Sequence, residues 1–170
     1  MDESTIRIVI DALKEASIDL VVTMPEEPTA PLTNAIKRDP YFATYTAVGE
    51  GNGIAFCAGA ALGGRGCVFV TGIAGLLAGA WALANMGPIY GAPFTIIASY
   101  RGDFGDNTRV AGDWLHMFKQ MGEPLLNTLQ IPYQVVDRKD AIEPAIRRAN
   151  FACRDYETPV ALLFTGDVLW

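Results

Sequence analysis

The stretch that decides the fold runs from Phe42 to Leu62 and reads FATYTAVGEGNGIAFCAGAAL. Its first seven residues, Phe42 to Val48, are mostly β-branched or aromatic and predict a strand. Gly49-Glu50-Gly51 comes next, then a helix of small residues over about Asn52 to Leu62. A strand that turns at once into a helix is a building unit of sheets with helices packed on their faces.

The same alternation continues on both sides of this stretch. Upstream, Ile6, Val9, Ile10 and Leu13 recur at spacings of three and four, giving an amphipathic helix over 4–17 that Ser4 or Asp2 would cap. Asp19 to Met24 is a short apolar strand ended by Pro25, Glu26-Glu27-Pro28 is a loop, and a helix is expected from about Ala30 to Arg38. Downstream come a strand at Cys67–Val70, a Thr71–Gly75 loop, and a helix of Leu, Ala, Gly and Trp reaching about Ala84. A strand at Phe94–Ser99 precedes a polar, glycine-rich loop over 101–113 that could order on binding. A helix or helix pair follows from about Trp114 to Gln130, with a break near Gly122-Glu123-Pro124. Strands at Tyr133–Val136 and Val160–Phe164 flank a last helix that reaches about Cys153, opened by a capping-box-like Asp140–Glu143. The expected fold is α/β: a three-layer, open, mainly parallel six-stranded sheet with helices on both faces. No linker, repeat or low-complexity tract divides it, so residues 1–170 are read as one domain.

Composition narrows the function classes. Apolar residues make up 51% of the chain and charged ones 19%, so the chain is globular. The mean hydropathy is above zero, which suits a sheet buried on both faces, a large partner interface, or both. The formal net charge is −6 and the basic residues are scattered, which argues against nucleic acid as a partner. Cys57, Cys67 and Cys153 form no CxxC and are odd in number; they are read as core residues in a reducing cytoplasm. A single His rules out a multi-histidine metal site within the chain. The acidic, polar N-terminus is unlike a signal peptide. Residues 66–100 carry no charge, but glycine and proline interrupt the run, so strand, turn and helix buried in protein are expected there rather than a membrane span.

Ligands of open parallel sheets bind beyond the carboxyl ends of the strands. Pro25-Glu26-Glu27, Gly49-Glu50-Gly51, Thr71–Gly75 and Ser99-Tyr100-Arg101 are all expected there. Glu50 is the most informative, because small residues around it would let a ligand or a neighbouring chain come close. A lone acid in the first turn of a helix is also favoured by the helix dipole alone, by a few tenths to about 1 kcal/mol.

The wider pattern resembles the pyrimidine-binding domain of thiamine-diphosphate decarboxylases and carboligases. In that family a strand ends in Glu before a small-residue helix, and some twenty residues later a loop of the form Thr-Ser-Gly-Pro-Gly-x-x-Asn precedes another helix. Ala47 to Ala55 matches the first part, and Thr71-Gly72-Ile73-Ala74-Gly75-Leu76-Leu77-Ala78 stands in the place of the second. Within that family the sequence resembles the small α subunits of sulfopyruvate decarboxylase, with phosphonopyruvate decarboxylase as their single-chain relative. The features shared there fall on Pro25, Arg101-Gly102 and His116.

The resemblance implies that Glu50 hydrogen-bonds the aminopyrimidine of thiamine diphosphate and favours the tautomer that activates the cofactor. It also implies that Pro25, Thr71, Gly72, Ile73 and Gly75 line the cofactor site, and that a small 2-oxo acid is the substrate. Gly72, Ala74 and Ala78 stand where the family has Ser, Pro and Asn, and Ile73, Leu76 and Leu77 suggest a less polar pocket than sulfonated substrates need. Mg2+ and the diphosphate are held in the family by Gly-Asp-Gly followed at a distance by Asn. Gly102-Asp103, Gly105-Asp106, Gly112-Asp113 and Gly166-Asp167 do not continue in that way. The implied metal ion and diphosphate therefore belong to a partner, a β subunit, in a hetero-oligomer, and the uncharged 66–100 segment would be part of the interface.

His116 could be an acid or base near the substrate, or a helix residue packed beside Trp114 and Phe118. Arg101 could clamp a substrate anion or be a solvated loop cation. Glu26 and Glu27 are adjacent loop acids, which are usually exposed. A carboligase subunit, a non-catalytic α/β regulatory subunit and a flavodoxin-like nucleotide domain are the other readings; against the last, no G-x-G-x-x-G or Walker pattern is present.

Overall fold

The computed structural model describes residues 1–102 and 116–170. Six strands form one sheet in which every neighbouring pair is parallel: β1 (Leu20–Thr23), β2 (Ala43–Thr46), β3 (Cys67–Gly72), β4 (Thr95–Ser99), β5 (Tyr133–Val136) and β6 (Val160–Phe164). Their order is β2-β1-β3-β4-β6-β5. The chain first winds outward to β2, returns across β1 to β3 and β4, and then fills the other edge with β5 outside β6.

Side-chain alternation along each strand feeds two cores. Val21, Val68, Val70, Ile97, Leu162 and Phe164 point to one face, where α1 (Glu3–Glu15), α2 (Ala30–Arg38) and α7 (Ile142–Asp155) cover them. Leu20, Val22, Phe69, Ile96, Ala98 and Leu163 point to the other, beneath α3 (Glu50–Leu62), α4 (Ile73–Ala78), α5 (Ala80–Ala84) and α6 (His116–Thr128). Each such Val, Leu, Ile or Phe contributes about 1.5–3 kcal/mol on full burial. The expected three-layer α/β architecture is what the structure has. The edge strand β2 differs from the rest: all four of its residues are exposed, and Tyr45 stacks on Phe56 of α3 with ring centroids 4.4 Å apart.

Local chemistry explains the element ends, decides between the two candidate caps of α1, and corrects three expectations. Asp2, not Ser4, caps α1, its carboxylate accepting from the Thr5 N–H at 2.8 Å. Asp140 caps nothing: it pairs with Arg138, a 3₁₀ turn occupies Lys139–Ala141, and Glu143 pairs with Arg147 at 3.2 Å. The helix over 116–128 does not break at Gly122-Glu123-Pro124. Gly122 is there for space, since a Cβ would lie 2.5 Å from Ile73 Cγ1, and Thr128 Oγ1 donates to the Pro124 carbonyl at 2.8 Å. The helix after β3 is instead divided at Gly79, whose missing Cβ would lie 2.6 Å from Ile54 Cδ1 of α3, and it ends in a π turn over Asn85–Ile89 that contains Pro88. The helix start read at Trp114 and nearly all of the 101–113 loop lie outside the described residues. Among the described residues, no helix is long and apolar enough to cross a membrane.

Candidate active site

Four adjacent strands, β2, β1, β3 and β4, end on one side of the sheet, and the segments following them line a single cavity of about 300 Å³. Met24, Pro25 and Glu26 come from the end of β1, and Glu50 from the first residue of α3 beyond β2. Thr71 to Gly75 carry β3 straight into α4, and Ser99 and Arg101 extend β4. Phe118 of α6 also lines the cavity. No loop separates β3 from α4: the strand runs to Gly72 and the helix begins at Ile73, where the sequence had suggested a Thr71–Gly75 loop.

The lack of side chains at Gly72 and Gly75 keeps this cavity open. A Cβ on Gly75 would run into Thr71 Oγ1 and lie 2.9 Å from Glu50 Cγ. A Cβ on Gly72 would lie 3.1 Å from both Glu26 Cγ and Ser99 Oγ. Two carboxyls therefore stand at opposite ends of the 72–75 segment, Glu26 against Gly72 and Glu50 against Gly75. Glu50 leans on its own helix start, where Gly49 is the cap and has no side chain to compete.

Glu26 is the half-buried one of the acidic pair, and Glu27 beside it is 81% exposed. The Thr29 N–H and Oγ1 both approach Glu26 Oε2 at 3.4 Å. Burial pushes the Glu26 carboxyl above the ordinary glutamate range, opposed by Ser99, the Thr29 N–H and the charge of Arg101. Ser99 Oγ makes no well-formed hydrogen bond, so its pull on Glu26 is one of proximity. Arg101 pairs with Glu27 at 3.6 Å, is largely buried, and among the described residues its Nε has no hydrogen-bond partner. Behind the cavity, Glu123 of α6 accepts from Tyr100 and from Tyr133 Oη, the latter at 2.9 Å, and pairs with Lys119 at 3.6 Å. These bonds fasten α6, and with it Phe118, to the residue after β4 and to the first residue of β5.

The structure gathers Pro25, Glu50, Thr71, Gly72, Ile73, Gly75 and Arg101 around one cavity. His116 is outside it, exposed at the first residue of α6. Leu76 faces the core rather than the cavity, so the apolar lining comes from Ile73, Ala74, Met24 and Phe118. Met24 and Phe118 are the lining residues that the sequence did not place at the site; Glu26 and Ser99 lay in strand-end segments that it did, with Glu26 read as an acid of a kind that is usually exposed. The one available signal for Glu26 was its place directly after a strand end, three residues before the Thr29 that holds it.

These surroundings fit an aromatic heterocycle with a basic ring nitrogen. Glu50 offers a carboxyl, Gly72 and Gly75 leave room for a flat group, and Ser99 and Arg101 hold unmet hydrogen-bonding atoms. Among the described residues, no three His, Cys, Asp or Glu side chains converge as metal ligands would.

No family model matches the chain. It is 28% identical over 158 residues to the sulfopyruvate decarboxylase subunit alpha of Methanococcus maripaludis, covering 91% of this chain and 90% of that one. The same subunit of Methanocaldococcus jannaschii is 26% identical over 159 residues, with 92% and 90% covered. Among solved structures, benzoylformate decarboxylase from Polynucleobacter necessarius superposes with a TM-score of 0.75 at 19% identity over 97% of this chain. The thiamine diphosphate-dependent 4-hydroxybenzoylformate decarboxylase of Rhodococcus jostii gives 0.73 at 15% over the same share. The chain spans about 30% of the length of each of these two enzymes. In fold, then, the chain corresponds to a part of the thiamine-diphosphate-dependent decarboxylases, and over nine-tenths of its length it is similar in sequence to sulfopyruvate decarboxylase α subunits.

Proposed function

We propose that this chain is the pyrimidine-binding α subunit of a two-chain, thiamine-diphosphate-dependent 2-oxo acid decarboxylase. The observation that carries the reading is the placement of Glu50 beside Gly75, in the wall of a cavity formed at the ends of four adjacent parallel strands. Glu50 holds a proton against the aminopyrimidine ring nitrogen, which activates the cofactor. Gly72 and Gly75 admit the ring, while Ile73, Met24 and Phe118 keep water from it. When bound, the cofactor supplies the electron sink for loss of CO2. A β subunit supplies the diphosphate and Mg2+ site, and residues 1–170 act as one domain of the assembly. Three buried free thiols suit work in a reducing cytoplasm.

Arg101 receives the carboxylate of the 2-oxo acid. It is the one cation among the described lining residues, and two carboxyls share the cavity with it. This balance favours a monoanionic 2-oxo acid with a compact apolar tail over a sulfonated one.

The test is co-expression with the chain that carries Gly-Asp-Gly…Asn, then Mg2+-dependent cofactor binding and CO2 release across 2-oxo acids that include pyruvate, 2-oxobutyrate and sulfopyruvate. CO2 and an aldehyde are expected. A ligated ketone in place of the aldehyde would make the chain a carboligase subunit. Cofactor binding without turnover on any substrate would make it a regulatory one.

A further inference from the structure

Cys57 on α3 and Cys67, the first residue of β3, meet in the core beneath α3, their sulfurs 3.1 Å apart and both thiols free. Cys153, the third cysteine, lies in the core on the other face of the sheet, where its thiol donates to the Asn150 carbonyl at 3.3 Å. The paired thiols stand at the far end of β3 from the active-site cavity: Cys67 opens the strand, and Gly72 closes it in the cavity wall.

The pair has an outer and an inner member. Cys57 has no exposed surface. Cys67 lines a separate cleft of about 210 Å³, together with Gly64, Arg65, Pro93, Asn150 and Arg154. A water molecule occupies about 30 Å³, so the cleft admits a small polar molecule. Asp19 anchors Arg65 there through two bonds of 3.0 and 3.2 Å. A thiol in the wall of a cleft with cationic side chains is in the setting where protein thiols react. Cys57 is in the opposite setting: burial, and the Cys67 sulfur beside it, push its thiol well above the ordinary range. An oxidant entering the cleft therefore meets Cys67 first, with Cys57 in contact behind it.

We propose that Cys57 and Cys67 form a redox modification site, at which a hydroperoxide joins α3 to β3 through a disulfide. With hydrogen peroxide, the Cys67 sulfur attacks one oxygen, the O–O bond breaks, and the thiol becomes a sulfenic acid with release of water. The Cys57 sulfur then attacks that of Cys67. The S–O bond breaks, and the hydroxyl leaves with the Cys57 proton as a second water. The two thiols lose two electrons between them, and the peroxide gains both. The sulfurs close from 3.1 Å to a bonded distance of about 2.05 Å. A dithiol reverses the bond by exchange.

The link falls where it has an effect. Gly51, Gly53 and Gly59 give α3 a low helix propensity, so packing through Ile54, Cys57, Ala58 and Ala61 holds it on the sheet. A covalent tie at Cys57 opposes local opening of this helix, whose first residue is Glu50.

The test uses the reduced full chain, treated with hydrogen peroxide, unfolded in N-ethylmaleimide, digested without reduction and read by mass spectrometry. The expected product is lighter by two hydrogen atoms and carries a cross-link between the Cys57 and Cys67 peptides. Cys153 remains open to alkylation, and dithiothreitol restores the starting mass. In Cys57→Ser, Cys67 should stop at the sulfenic acid and be captured by dimedone, whereas Cys153→Ser should cross-link like wild type. The wild-type map is decisive even where a variant does not fold. Hydrogen exchange of the α3 amides should be slower in the cross-linked chain than in the reduced one. A link to Cys153 or between two chains, or conversion of Cys67 to sulfinic acid without a link, overturns the proposal. So does a cross-link that forms only after unfolding in urea, or unchanged exchange in α3.

Discussion

Glu26 and Glu27 differ by one position and have opposite fates. One turns inward over Gly72 and the other meets Arg101 at the rim. Two adjacent acids in a loop look alike in a sequence, and only the backbone path after β1 decides which one faces in. Glu50 was legible only through its neighbours: alone it is an ordinary helix-start carboxylate, and it was the strand before it, the small residues around it and the Thr71–Gly75 segment that marked it out. The inward position of Glu26 has a cost that can be measured. Its carboxyl is raised in the folded chain by burial, so its favourable share of stability is complete below the unfolded pKa of about 4.3 and is lost as pH rises through the folded value. Glutamine cannot ionise. The melting temperature of Glu26→Gln, taken relative to wild type, should therefore rise between pH 4 and pH 8, and a difference independent of pH would contradict the burial argument. Gly75 is as constrained as Glu26, because an added Cβ meets Thr71 Oγ1 and Glu50 Cγ. Gly75→Ala should cost about 1–3 kcal/mol of stability in a urea titration and weaken cofactor binding by the assembled complex.

At the scale of elements, the strands were legible because buried parallel strands are continuous apolar runs bounded by glycine, proline and charge. Tyr133–Val136 and Val160–Phe164 begin and end where their composition places them. The helices were legible in place but not in their joints. Gly122-Glu123-Pro124 has the composition of a break, yet the glycine lets α6 press on Ile73, and Glu123 is tied by Tyr100 and Tyr133. Those tertiary contacts outweigh local propensity, and a sequence does not display them. The split at Gly79 has the same origin, since α3 lies too close there for any side chain. Gly59 of α3 is a useful contrast, because nothing lies within 4 Å of the Cβ it lacks. Gly59→Ala should stabilise the isolated chain by about 0.4–1 kcal/mol in the same urea titration. A destabilisation would mean that α3 is packed differently from this description.

At the scale of the whole molecule, the sheet collects four strand ends into one cavity, while neighbouring surfaces remain apolar and uncovered. Val48 and Phe56 on and before α3, and Trp81 on α5, are 87%, 43% and 81% exposed. Side chains of this kind exposed near one another are expected where another protein binds. Val48 lies two residues before Glu50, Phe56 is on the helix that Glu50 opens, and α5 packs on that helix, so a partner covering these side chains would come close to Glu50. The central claim is that Glu50 acts on a cofactor held jointly with a partner subunit, and the most direct measurement is CO2 release by the assembled complex with Glu50 or Gln at that position. The wild-type complex should release CO2 from a 2-oxo acid in the presence of thiamine diphosphate and Mg2+, and Glu50→Gln should lower the rate by at least about 100-fold with assembly unchanged. Full activity in the Glu50→Gln complex would contradict the account.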